Sequence, residues 1–341
     1  MIEKLKALCA FSGVSGNEDD VREFIISGIK NYADEIKTDV MGNILAFKKG
    51  AAAPARKIML CAHMDEVGII VTSITDDGYL KFDCVGGIDR RVLIGKTVFI
   101  GKDHVFGVIG NKAVHLVKPT ERESIPKLDD MYIDIGAQTK ADAETRVKQG
   151  DTGAFSPEAF EFGDGFIKAK ALDDRIGCAV LMDIIKQDIP CDCHFVFTVQ
   201  EEVGLRGAAT AAYKTAADTA LIVEGTTAAD IPGVASGKKI CTVGGGAVIP
   251  FMDGGTIYDR GLYETLTRLA AENGIEWQTK TYISGGTDGA AIQRSRGGVK
   301  TAGIAVPVRN IHSPSCVCAV SDIMSVRELA YKFLEYAGKS E

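Results

Sequence analysis

Apolar residues follow two rhythms along this chain, and the changeover between them divides it. Over residues 2–11 and about 17–36 they recur at helical spacing. The second stretch carries Val21, Phe24, Ile25 and Ile29 behind an acidic capping region, Ser15-Gly16-Asn17-Glu18-Asp19-Asp20. Strand-like apolar runs follow at 43–47 and 57–62. From about residue 70 to 157 the texture changes to short β-branched runs at 69–74, 80–84, 97–100 and 105–109, separated by turns such as Asp76-Asp77-Gly78 and Gly86-Gly87. From Asp173 helix and strand alternate again, with helices expected over 175–186, 207–213, 258–273 and 320–337 and strands over 194–199, 219–223 and 301–306. Such alternation is the signature of an α/β sheet. The expected fold class is therefore α/β: a mixed sheet flanked by helices, with an inserted small all-β, barrel-like domain. Residues 1–69 and 158–341 would form one discontinuous domain and 70–157 the insert.

Composition narrows the partners. With 341 residues, 46% hydrophobic content and a mean hydropathy of +0.07, the chain can bury a sizeable core. A net charge of −7, a pI near 5.4 and the lack of a basic stretch argue against nucleic acid. No apolar run approaches membrane-spanning length. The start, Met1-Ile2-Glu3-Lys4-Leu5-Lys6, lacks the core and cleavage site of a signal peptide, so a cytoplasmic location is expected. Nine dispersed cysteines, several inside apolar runs, read as buried free thiols. Cys191-Asp192-Cys193-His194 and Cys316-Val317-Cys318 lack the spacing of a structural zinc finger.

The chemistry lies where apolar runs end. Five of them reach metal-capable side chains: His63 and Asp65, Asp173-Asp174, Glu201-Glu202, Glu224, and His312. Groups just beyond buried strands sit at the carboxyl ends of a sheet, where open α/β folds bind ligands. Asp65 follows His63 at i+2 and can hold the second nitrogen of the imidazole. Asp173-Asp174 can serve a helix N-terminus, or one of the pair can bridge two metals. Glu201-Glu202 is expensive to bury unless paired or metal-bound, and a solvated acidic loop is the alternative. His104, His115 and His194 read as surface or packing residues. Lys238, Lys239 and Arg309 are candidate cations for an acidic substrate side chain, with surface solvation the plainer reading.

Five motifs carry a family resemblance: His63-Met64-Asp65-Glu66-Val67-Gly68, Ala171-Leu172-Asp173-Asp174-Arg175-Ile176-Gly177-Cys178, Gln200-Glu201-Glu202-Val203-Gly204-Leu205-Arg206-Gly207, Ser284-Gly285-Gly286-Thr287-Asp288 and Arg309-Asn310-Ile311-His312-Ser313-Pro314. With Val85-Gly86-Gly87-Ile88-Asp89-Arg90-Arg91 and Tyr132-Ile133-Asp134-Ile135-Gly136-Ala137 in the insert, they span essentially the whole chain in order. The chain resembles the dinuclear metallo-aminopeptidases of family 42, which include glutamyl aminopeptidase, the tetrahedral TET aminopeptidases and proteins labelled FrvX or cellulase M.

That resemblance implies a zinc-exopeptidase-like fold and an aminopeptidase that removes N-terminal residues from short peptides. It implies two divalent metal ions per subunit, with zinc the default and cobalt or manganese the alternatives. His63, Asp173 and Glu224 would hold one and Asp173, Glu202 and His312 the other, with Glu201 as general base and Asp65 supporting His63. Many members carry aspartate where this chain has Glu224. The resemblance further implies a homo-oligomer assembled through the insert, with a tetrahedral dodecamer built from dimers as its family form. A related amidohydrolase or deacylase could use nearly the same ligands. An endoglucanase, suggested by the cellulase label, would leave the histidines without a task.

Overall fold

The computed structural model describes residues 1–118, 120 and 123–339. Two helices, α1 (Ile2–Ala10) and α2 (Asp19–Ile29), open the chain and turn Leu5, Leu8, Val21, Ile25 and Ile29 into the core. The expected second helix stops short of residue 36, because residues 35–38 pair as a strand instead. This is β1 (Glu35–Thr38), antiparallel to β2 (Ile44–Lys48), with Ile36 opposite Ala46. Nor does the capping region cap α2 with a side chain: Glu18 Oε1 accepts from the backbone N–H of Gly16 and, at 3.1 Å, from that of Gln200.

After β3 (Ile58–His63), buried along its whole length, the chain builds a closed antiparallel barrel. Its strands are β4 (Gly68–Ile74), β5 (Leu80–Val85), β6 (Thr97–Ile100), β7 (Val105–Asn111), β8 (Met131–Asp134) and, after the short α3 (Lys140–Glu144), β9 (Thr152–Phe155). Inward-facing Ile69, Val71, Leu80, Phe82, Val98, Ile100, Ile109 and Ile133 fill it. Alternating burial such as iBiB in β6 is what a barrel wall one residue thick requires.

Two short strands, β10 (Phe160–Phe162) and β11 (Phe166–Ala169), lead into α4 (Leu172–Ile184). Then follow β12 (Cys193–Thr198), α5 (Arg206–Thr215), β13 (Thr219–Thr227), β14 (Ala247–Ile249), α6 (Arg260–Glu272), β15 (Trp277–Thr279), α7 (Gly289–Ile292), β16 (Lys300–Val308), β17 (Cys316–Ala319) and α8 (Val320–Lys339). The main sheet has the order β1-β2-β12-β3-β13-β16-β14-β15, and its central four strands, β12, β3, β13 and β16, run parallel. β10, β11 and β17 form a separate small sheet. The parallel strands read as unbroken apolar runs because helices cover both faces, as such sheets require. No helix among the described residues is long and apolar enough to cross a membrane.

Candidate active site

Four neighbouring parallel strands finish side by side, and each delivers a metal-capable group. His63 ends β3 and is paired in register with Thr198 of β12, so Glu201 and Glu202 emerge just beyond. Glu224 lies within β13 opposite Ala305 of β16, and His312 follows the end of β16. Glu224 thus stands inside a strand, where residues 219–223 were expected to be the whole of it. Pairing with β16 continues to Thr227 opposite Val308 and carries β13 four residues further. The fifth group comes from the start of α4, where Asp173 and Asp174 have non-helical backbone angles and are joined by a cis peptide bond. Gly225 gives α4 its approach: a Cβ there would stand 3.2 Å from Cα of Asp173.

The strand-end candidates His63, Asp65, Asp173, Glu201, Glu202, Glu224 and His312 converge, whereas Lys238, Lys239 and Arg309 do not line the cavity beside them. His63 Nε2 lies 3.2 Å from Asp173 Oδ1, 3.4 Å from Glu224 Oε1 and 4.0 Å from Glu201 Oε2. His312 Nε2 lies 3.3 Å from Asp173 Oδ2 and 3.3 Å from Glu202 Oε2. Each oxygen of Asp173 therefore faces a different imidazole. The far side of each ring is tied down: His63 Nδ1 is 3.2 Å from the Asp65 carbonyl oxygen and 3.4 Å from its carboxylate, and His312 Nδ1 is 2.7 Å from the Gly87 carbonyl. With those Nδ1–H groups donating, both Nε2 lone pairs point at carboxylates. That arrangement is repulsive unless protons or cations lie between them.

Asp65 does more than meet the histidine. Its carboxylate also accepts from Ser15 Oγ (2.6 Å) and from the backbone N–H groups of Glu201 (2.9 Å) and Glu202 (3.1 Å). Burial would raise its pKa, but these donors and His63 hold it below the ordinary range. The neighbouring acids behave oppositely. Burial, and then the surrounding carboxylates, push Glu201 and Glu224 well up against the pull of His63. Burial, with Asp173 next, pushes Glu202 up to about 8. Burial works against the protonated rings, yet Glu224 and Asp173 raise His63 well above its ordinary value, and Asp173 and Glu202 raise His312 to about 9.

Such a cluster of acids is short of positive charge. Among the described residues, Glu202 Oε1 and Glu224 Oε2 are buried oxygens with no hydrogen-bond partner. Donor atoms of His63, Asp173 and Glu202 lie within 4.8 Å of one another, as do those of His63, Asp174 and Glu224. Of the two aspartates, Asp173 is the better donor. Both oxygens of Asp174 are already occupied, by the N–H of Gly177 at 2.9 Å and of His63 at 3.2 Å. Mixed imidazole and carboxylate donors suit zinc, cobalt or manganese.

Several contributors stand inside the motifs that carry the resemblance but were given no role there. Glu66 is buried under the His63 loop and bound by Lys170 Nζ at 2.6 Å, with the Arg175 guanidinium at 3.4 Å. Its place directly after His63-x-Asp65 was the available signal. Asp288, buried and pushed up to about 6 chiefly by burial, accepts from Thr198 Oγ1 and stands close enough to Glu201 to raise its pKa. Gln200, Leu205, Asn310 and His312 all have left-handed φ values between 55° and 58°, a conformation rare outside glycine that gathers at functional sites. Arg309, a candidate substrate cation, is committed to Asp230 at 2.6–2.7 Å. Beside the cluster opens a cavity of about 450 Å³ whose walls include Ile222, Val248, Pro250, Tyr258, Lys280 and Ile304.

Comparison with known proteins shows the family. The profile of the family described as M42 glutamyl aminopeptidase matches residues 42–329. A "Putative aminopeptidase" of Acetivibrio thermocellus is 41% identical over 96% of this chain and 97% of its own. The lysyl aminopeptidase of Pyrococcus furiosus is 31% identical, over 98% of this chain and 96% of its own. The TET1 peptidase of Pyrococcus horikoshii, whose structures show assembly into a tetrahedron or a large octahedral shell, superposes with a TM-score of 0.85 at 34% identity over 98% of both chains.

Proposed function

The chain belongs to the M42 glutamyl aminopeptidase family, and from that premise we propose that it removes N-terminal residues from short peptides by metal-assisted hydrolysis at the cluster around Asp173. His63, Asp173 and Glu224 would hold one divalent ion and Asp173, Glu202 and His312 the other, with Asp173 shared. When bound, the ions supply Lewis acidity that lowers the pKa of a water molecule and polarises the scissile carbonyl. The observation that carries this reading is the pair of imidazoles, each Nε2 held 3.2–3.3 Å from a different oxygen of one carboxylate.

The remaining steps belong to this chain's own side chains. Glu201 is fixed at its backbone by Asp65 and has no hydrogen-bonded cation of its own among the described residues. Its carboxylate is the base that takes the proton from the attacking water. The same group then delivers that proton to the leaving amine nitrogen. Asp65 orients His63 and both glutamates, so it acts by positioning. The acid-rich cluster suits the free amino group of a peptide, and the adjoining cavity receives the first side chain.

Glu201→Gln tests the assignment. Loss of a general base with the ligands intact should reduce kcat at least ~10³-fold while metal content, measured by elemental mass spectrometry, stays close to wild type. Parallel loss of metal and activity would contradict these roles.

We further propose that residues 70–157 act as an inserted unit through which copies associate, toward a closed shell of the kind described for the TET1 peptidase. Exposed Phe106 and Val108 on β7, with Ile94, Val114 and Leu116 in the loops around it, support that surface. A strictly monomeric mass by light scattering would refute it. Nine free thiols, eight of them buried, fit the cytoplasm as its place of work.

A further inference from the structure

One charge in the cavity is unaccounted for. Lys280 follows β15, is only 8% exposed, and lines the cavity beside the metal-capable cluster. Its Nζ makes one hydrogen bond among the described residues, 2.8 Å to the Ser284 carbonyl, whereas an ammonium has three donors. No carboxylate of the described residues lies within ion-pair distance. Asp253 is near, but its oxygens already accept from the N–H groups of Gly255 and Thr256, from Tyr258 Oη at 2.7 Å and from Thr287 Oγ1 at 3.3 Å. The other deeply buried lysine, Lys170, has its counter-ion in Glu66. Burial lowers the Lys280 pKa, against the pull of Asp253, Cys241, Glu224 and Asp173. A desolvated ammonium without a partner is unfavourable, and a site that keeps one gains when a ligand brings the opposite charge.

We propose that Lys280 is the specificity residue for the first side chain of the substrate, and that it selects a carboxylate, glutamyl or aspartyl. This rests on the aminopeptidase reading of the adjoining cluster. Family membership does not decide the matter, since the family description is glutamyl and a well-covered relative is a lysyl enzyme. The cavity decides it. Among the described residues, and apart from the two histidines of the cluster, Lys280 is the only basic residue lining it. Thr226, Thr227, Tyr258, Ser284 and Thr287 add neutral hydroxyls, and Ile222, Val248, Pro250 and Ile304 are apolar, so Lys280 is the one group there that can meet an acidic side chain with opposite charge. A lysyl or arginyl side chain would meet like charge in a desolvated space.

The test is a panel of glutamyl, aspartyl, leucyl and lysyl anilides with metal-loaded wild type, Lys280→Met and Lys280→Arg. In the wild type the glutamyl or aspartyl anilide should be the best substrate and the lysyl anilide the poorest. Lys280→Met should lower the glutamyl-to-leucyl ratio of kcat/KM about 100-fold, which is about 2.7 kcal/mol at 1.36 kcal/mol per tenfold. Lys280→Arg should keep most of the ratio. The melting temperature of Lys280→Met should be unchanged or higher, because an uncompensated buried charge has been removed. A wild type that prefers leucyl or lysyl anilide overturns the assignment, as does an equal loss on every anilide with a lowered melting temperature. A metal-loaded enzyme inactive on every anilide would instead refute the aminopeptidase reading, and the role of Lys280 with it.

Discussion

Asp173 and Asp174 are neighbours with the same side chain, yet the fold gives them different work. Asp174 spends both oxygens on backbone N–H groups and fixes the start of α4 against β3. Asp173 turns its oxygens to His63 and His312. The pattern Asp-Asp-Arg by itself left open which of the two would bridge, and the family resemblance implied Asp173; the hydrogen bonds that occupy both oxygens of Asp174 support that proposal. The metal-free cluster also has a proton inventory. Burial, with Asp173 next, pushes Glu202 up to about 8, and Glu201 and Glu224 shift the same way. Carboxyl groups with raised pKa values are protonated below those values, so a divalent ion entering at neutral pH must displace protons. The ligating imidazoles must lose their protons as well, and His312 is raised to about 9, so metal affinity should rise with pH through about 8 to at least about 9. Calorimetric titration of the metal-free protein in two buffers of different ionisation enthalpy should give different apparent enthalpies. A heat that is independent of the buffer would show that the acids were already ionised.

At the scale of elements, the site depends on what holds the loop after β3. Glu66 takes two hydrogen bonds from Lys170 Nζ, at 2.6 and 2.7 Å, and one from the backbone of Gly13. Lys170 also reaches the Phe11 carbonyl, and Arg175 reaches those of Leu8 and Met64. One buried network thus ties the end of α1, the end of β11, the first turns of α4 and the loop that carries Asp65. Removing Glu66, its only carboxylate among the described residues, leaves two cations buried without a counter-ion. Glu66→Ala should destabilise the protein by about 3–5 kcal/mol, as breaking a buried pair from one side does, read as a lower urea midpoint. Replacement with a change below 1 kcal/mol would mean that water reaches the network. The long elements were legible in sequence because burial on both faces leaves unbroken apolar runs, as in β3 and β13. The short ones were not: β10 is Phe-Glu-Phe with every residue exposed, and β14 and β15 have three residues each. Edge pairing and a small sheet define them, and neither leaves a period to read. The left-handed turns at Gln200, Leu205, Asn310 and His312 were equally hidden, since no glycine marks them.

Across the whole molecule, groups scattered from residue 63 to residue 312 meet only because β12, β3, β13 and β16 are neighbours. Strand ends announce themselves in the sequence, but strand order does not, and motif resemblance supplied what periodicity could not. Tertiary burial has a second global consequence in the thiols. Burial first of all pushes Cys9 and Cys241 up to about 12 and Cys191 and Cys316 up to about 11, from an ordinary 9.0. Cys61, Cys178, Cys193 and Cys318 move in the same direction. In the unfolded chain these thiols ionise near pH 9, while in the folded chain they stay protonated. The unfolded state then binds fewer protons, so stability falls as pH rises. The contribution is complete below about pH 9 and is lost on the way to 11 or 12. Each such thiol contributes up to about 1.4 kcal/mol per pH unit in that window. Urea midpoints should therefore be nearly level from pH 7 to 8.5 and fall steeply between 9 and 10.5. Tyrosine and lysine titration also acts in this range, and a substitution separates the causes. Cys9→Ala with Cys318→Ala should flatten the alkaline slope even though it lowers the midpoint at neutral pH by opening space in the core. An unchanged slope would mean that the buried thiols take no part in alkaline unfolding.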